Sequence, residues 1–185
     1  MTFKKSLCAV MAIFMLFSLT ACKSGKLDNL EIKLCGVTVK APLTLDKLGD
    51  DFTLFGFGEF DGVVEVGGKT SGILLHKGEL VADVIFKEGS KESDYRKRKI
   101  ESIMSFSEDF SDGLSVNGFM QGYVKSQALD MIGEPTEKIQ SNDFMTNDPL
   151  ETWVYRENGA SEDDSYLVIG FDKYDKAWEI IVDLE

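Results

Sequence analysis

Residues 122–136, GYVKSQALDMIGEPT, and the three stretches after them decide the fold: LETWVY (150–155), YLVIGFD (166–172) and WEIIVDL (178–184). In the first, Val124, Ala128, Leu129 and Ile132 recur at helical spacing, and Gly133 with Pro135 supplies a stop. The other three carry the alternation and the aromatic and β-branched content of strands. Asn158–Asp164 is a polar, acidic loop, and Asp172–Asp175 has turn chemistry. The pattern predicts one helix from about Val124 to Gly133, followed by an antiparallel meander.

Working back from there, the first half reads mostly as strands. Leu30–Leu34 alternates, Cys35-Gly36 offers a turn, and Val37–Lys40 resumes the alternation until Pro42. Thr44 caps a short helical turn through Leu45 and Leu48 toward Gly49. Val63–Val66, Gly72–His76, Leu80–Phe86 and Ile100–Phe106 read as strands, with Lys77-Gly78 as a hairpin turn. Val116–Phe119 reads as one short extended piece. The hexapeptide Leu45–Asp50 (LDKLGD) is echoed by Leu129–Glu134 (LDMIGE). With a matching order of strands after each, the echo favours two related α+β units.

The N-terminus has a different character. Lys4 and Lys5 precede the apolar, charge-free run Leu7–Leu19, and Leu19-Thr20-Ala21-Cys22 closes it. The run spans 13 residues, short of the roughly 20 that cross a bilayer as a helix. This is the pattern of a secretory signal with a small-residue cleavage site. Lys23-Ser24-Gly25-Lys26 is short and polar and reads as a tether. The expected organisation is a signal over 1–21, Cys22 and its tether over 22–29, an N-terminal unit over 30–110 and a C-terminal unit over 111–185.

The formal net charge is −12, and without Lys4 and Lys5 it becomes −14. A balance this acidic argues against nucleic acid as a partner, because phosphate binding needs basic patches. It fits solubility at a crowded surface and long-range attraction of cationic molecules. The run Arg96–Lys99 is flanked by Glu88, Glu92, Asp94 and Glu101 and reads as a solvated edge. Of the cysteines Cys8, Cys22 and Cys35, only Cys35 remains once the signal and the lipid site are set aside, so no intrachain disulfide is expected. Its place in the apolar stretch Leu30–Val39 predicts burial as a small hydrophobe. The lone histidine, His76, sits in a turn and is not expected to serve Cys35 as a base.

Two resemblances attach to these residues. Leu19-Thr20-Ala21-Cys22 resembles the lipobox of bacterial lipoproteins. That implies cleavage before Cys22, acylation of its sulfur with fatty chains such as palmitate, and a lipid anchor at the extracytoplasmic face of the cell membrane. Lys23 stands where aspartate tends to signal inner-membrane retention in Gram-negative lipoproteins. The helix closing on Gly133-Glu-Pro135, the Trp153-Val-Tyr155 strand, the Phe171-Asp172 turn and the last strand from Trp178 are similar to the β-lactamase-inhibitor-protein-like (BLIP-like) unit. That unit occurs in small outer-membrane-assembly lipoproteins and in uncharacterised Firmicute lipoproteins. The opening Val37–Leu48 resembles the N-terminal unit of the tandem Firmicute proteins. The implied fold is α+β, with two BLIP-like units, each a short helix packed on an antiparallel meander. Where the family usually has a glycine after Phe-Asp, this chain has Lys173-Tyr174-Asp175-Lys176. Family members bind proteins where a role is known.

No nucleophile elbow, P-loop, dinucleotide fingerprint or zinc-protease motif is present. Gly56-Phe57-Gly58 lacks the third glycine and a following helix. Asp172 with Asp175, and Asn142-Asp143 with Asn147-Asp148, supply oxygen ligands in type, yet none follows the spaced calcium loop; they read as turn formers. No cofactor or metal is expected. Trp153, Tyr155, Tyr174 and Trp178 concentrate on the C-terminal strands and form a candidate binding surface, since Trp and Tyr dominate binding hot spots. The competing reading of these aromatics is core. The function expected is a non-catalytic protein-binding or envelope-associated module on a lipid anchor. The alternative is a small-ligand-binding protein or hydrolase with a site between the units.

Overall fold

The computed structural model describes residues 30–55, 63–66, 69–87, 94–106, 113–156 and 165–184. The expected signal, Cys22 and its tether lie outside the described residues, as do Gly56-Phe57-Gly58 and the loop Asn158–Asp164. Among the described residues no helix is long and apolar enough to cross a membrane.

The first half contributes β1 (Ile32–Leu34), β2 (Val37–Thr38), β3 (Leu43–Thr44), α1 (Leu45–Leu48), β4 (Phe52–Leu54), β5 (Val63–Val66), β6 (Lys69–His76), β7 (Glu79–Phe86) and β8 (Lys99–Ser105). The second contributes β9 (Leu114–Val116), β10 (Phe119–Met120), α2 (Lys125–Met131), β11 (Glu137–Asn142), β12 (Pro149–Arg156), β13 (Ser165–Phe171) and β14 (Ala177–Asp183). Ten strands form one sheet in the order β11-β12-β13-β14-β8-β7-β6-β4, with β3 also beside β8 and β5 beside β6. Every pairing in it is antiparallel. The halves meet through their last strands, with Ile180 opposite Ser105 and Asp183 opposite Ser102. A second sheet has the order β10-β9-β1-β2 and also draws on both halves.

This corrects the expected fold class. The chain is β-rich rather than two α+β units of helix on meander. The physical reason is length: α1 is a single turn of 4 residues and α2 has 7. At 1.5 Å per residue neither covers a meander. The small sheet does much of that covering instead. Ile32, Leu34, Leu114, Val116 and Phe119 from it share one continuous core with Leu74, Val84, Ile103, Ile169, Phe171 and Ile180 of the large sheet. Each such side chain stabilises by about 1.5–3 kcal/mol when fully buried.

Other local expectations also change. Val116–Phe119 is not one extended piece but a hairpin, β9 to β10, turning on Asn117 and Gly118 at φ +52° and +82°. Asn117 is a clasp as well as a turn residue. Its Oδ1 accepts from Glu31 N at 2.7 Å, and its Nδ2 donates to Met131 O at 3.0 Å at the end of α2. β11 is an edge strand that alternation does not reveal, because all six of its residues are exposed. Polar edges of this kind discourage edge-to-edge aggregation. Cys35 is in the β1–β2 turn at φ +49°, half-buried against the core rather than inside a strand. Burial, and after it the charge of Glu79, raises its thiol pKa. His76 packs its ring on Phe52, 4.6 Å between centroids.

Candidate functional site

The four aromatics proposed as a binding surface separate into two pairs. Trp153 and Tyr155 point into the core, 2% and 1% exposed. Trp153 packs on Phe171 at 4.8 Å, and its indole N–H donates to Glu151. The Tyr155 hydroxyl donates to Gly133 O at 3.2 Å, and burial drives its pKa far up. Tyr155 therefore ties the chain just after α2 to the sheet, Trp153 packs within the sheet's core face, and neither presents an open face. Tyr174 and Trp178 are 69% and 37% exposed.

Trp178 owes its position to a β-bulge. Phe171 pairs with Ala177 and Gly170 with Glu179, so Trp178 is the extra residue on β14. A bulge re-aims a side chain, and here the indole lies across Gly170 on the face turned away from the core. A Cβ at position 170 would come within 2.9 Å of Trp178 Nε1 and 3.2 Å of Glu179 Cβ. Gln121 braces the bulge: its Nε2 donates to Trp178 O at 2.8 Å while its Oε1 accepts from the buried Ser105 hydroxyl at 2.8 Å.

Two hairpin tips flank Trp178, because Glu151 of β12 pairs with Phe171 of β13 and brings both turns to one end of the sheet. The β13–β14 tip is closed by Asp172, whose Oδ1 accepts from Tyr174 N at 2.8 Å and Lys176 N at 2.9 Å. Asp175, at φ +62°, takes the left-handed position where a glycine is usual; aspartate tolerates it. The β11–β12 tip is closed by Asp143, whose Oδ1 accepts from the backbone N–H groups of Met145 and Thr146 and from the Thr146 hydroxyl. Of the four aspartates expected to form turns, Asp143 and Asp172 close the two tips with their carboxylates. Among the described residues no group of three or more metal-binding side chains is assembled.

Between the tips lies an open cleft of about 270 Å³. Tyr174 and Trp178 line it with Leu150, Asp143, Asp148 and Asp172. Lys173 spans it, with Nζ 2.9 Å from Asp148 Oδ2 and 5.2 Å from the Tyr174 ring centroid. That ammonium, then the Thr146 hydroxyl, lowers the Asp148 pKa, and hydrogen bonds led by the Thr146 N–H lower that of Asp143. Phe144 and Met145, on the same tip as Asp143, are 96% and 84% exposed. Sequence reading missed them. Their signal was a Phe-Met pair stranded between Asn142-Asp143 and Asn147-Asp148, where turn chemistry leaves no core to enter.

Two further carboxyls are perturbed. Burial raises the pKa values of Asp83 on β7 and Glu179 on β14. Among the described residues Asp83 Oδ1 is buried without a hydrogen-bond partner. No protein-family model, no curated protein and no solved structure matches the chain.

Proposed function

We propose that this protein is a non-catalytic protein-binding module, held at the extracytoplasmic face of the membrane by a lipid on Cys22. It docks its partner on the paired hairpin tips. The observation that carries the binding reading is the concentration of Phe144, Met145, Tyr174 and Trp178 in solvent at one end of the sheet. Exposed aromatics grouped this way, rimmed by charge, mark interaction sites more often than scattered surface apolars do. The anchor reading is supported by the charge-free run ending at Leu19-Thr20-Ala21-Cys22. Two acyl chains are needed for firm anchoring, since one alone binds a membrane only marginally.

A photo-cross-linking amino acid at position 144 or 174 of the full chain, in native membranes, tests the docking surface. Discrete adducts are expected from both positions and not from the exposed control Lys40. Equal adducts at the control, or none at the tips, would reject the tips as the interface. Metabolic labelling with a clickable fatty acid tests the anchor: the wild-type chain should take the label and Cys22→Ala should not.

A further inference from the structure

Resting on the docking reading above, we propose that the cleft between the hairpin tips is a recognition pocket for a basic side chain, arginine or lysine, in an extended segment of the partner. The partner's cation displaces Lys173 from the Asp148 carboxylate and from the face of Tyr174.

One observation sets the size of the occupant and two set its charge. The cleft is about 270 Å³, slightly below the roughly 300–1,000 Å³ of pockets for drug-sized ligands. It suits one or two side chains rather than a folded element. Among the described residues its charged groups are Asp143, Asp148 and Asp172 against Lys173, so it remains acidic after the internal pair is made. Its aromatic members, Tyr174 and Trp178, are the ring types that attract ammonium and guanidinium groups.

The cleft already accommodates one cation of its own. Lys173 makes the two contacts a foreign cation would make, an ion pair with Asp148 and an approach to the Tyr174 ring. Its side chain is 39% exposed and that of Asp148 38%, so water screens the pair and exchange costs little. A guanidinium gains more than the ammonium it replaces, because it is planar, stacks on aromatics and meets a carboxylate through two N–H groups. The net charge of −12 draws basic segments toward the surface before docking.

The full chain in detergent is titrated, by fluorescence anisotropy, into a fluorescein-labelled octapeptide of alternating arginine and glycine. The same peptide with citrulline for arginine is the neutral control. The arginine peptide should bind at least about tenfold more tightly than the control, and Trp178→Ala and Tyr174→Ala should each weaken it by about fivefold. Raising the salt from about 50 to about 300 mM should weaken it further. Lys173→Gln, which removes the internal competitor, should tighten binding severalfold. Equal affinity for the citrulline peptide, or a Lys173→Gln variant that binds no better than wild type, overturns the proposal. So does binding that ignores both aromatic substitutions, which would reduce the attraction to net charge alone. The cross-links from positions 144 and 174 separate the two readings. Adducts without arginine-peptide binding leave the docking surface standing and remove the cationic pocket; loss of both removes both.

Discussion

Gly170 lies under the indole of Trp178, so close that a single added carbon would come within 2.9 Å of Nε1. The glycine is needed for space rather than for backbone freedom. It leaves a flat floor on β13 across which the bulged residue of β14 folds, and so sets the wall of the cleft. Gly170→Ala should therefore lift Trp178 away from the sheet while Trp153 stays in the core. Acrylamide quenching of tryptophan emission reads this: the quenchable fraction should rise relative to wild type. An unchanged quenching profile together with an unchanged melting temperature would show that the indole does not depend on position 170.

Trp153 is the opposite case. Its ring is 2% exposed and packs on Phe171, so Trp153→Ala should cost about 3–5 kcal/mol, the range for emptying a large aromatic site. Urea unfolding followed by circular dichroism measures it. A loss under about 1 kcal/mol would place the ring outside the core.

These two tryptophans show how far the chain could be read. Alternation puts Trp153 and Tyr155 on one face of β12, because residues two apart in a strand point the same way. It could not say which face, since that depends on what packs there: α2 and the small sheet, brought in from residues distant in sequence. Trp178 was unreadable for a different reason. The bulge breaks the period at the point where the side chain matters, and the count of residues between Phe171 and Ile180 does not reveal it. β11 hid because an exposed edge strand needs no apolar period. The pairing of β8 with β14 is non-local and has no local signature at all. Turns were the most legible part: Lys77-Gly78 and Gly133 take positive φ values of 53°, 89° and 105°, as hairpin and helix-stop chemistry requires.

Gly133 follows the C-cap residue Ile132 of α2, and its N–H donates to Ala128 O at 3.2 Å. Among the described residues nothing lies within 4 Å of where its Cβ would stand, so the cost of a side chain there is backbone strain. Left-handed backbone costs a non-glycine residue about 1–2 kcal/mol, and β-branched residues tolerate it least. Gly133→Ala should lower the melting temperature and Gly133→Val should lower it more. The Gly133 carbonyl accepts the Tyr155 hydroxyl, so a shifted backbone would also loosen the sheet contact. Equal stability of all three proteins would contradict the assigned helix stop.

Glu179 shares the face of Trp178, and burial raises its carboxyl pKa in the folded chain. The sign of the linkage follows. Below the ordinary carboxylate range both folded and unfolded chains hold the proton, and the site is neutral with respect to stability. As pH rises, the unfolded chain releases its proton first, so ionisation favours unfolding, and the penalty is complete above the raised folded value. Glu179→Gln removes the ionisation while keeping the shape. It should raise the melting temperature at pH 7, and the gain should shrink and vanish as the pH is lowered below the unfolded carboxylate range. Asp148 provides the opposite sign, because Lys173 and Thr146 lower its pKa. Its contribution is present at neutral pH and is lost as the pH falls through the folded value. Asp148→Asn should therefore lower the melting temperature at pH 7, and only slightly, because the pair is exposed and screened. Thermal melts of the three proteins from pH 3 to pH 8 check both signs at once. A Glu179→Gln gain that persists unchanged at pH 3 would mean that packing, not charge, is what the substitution relieves.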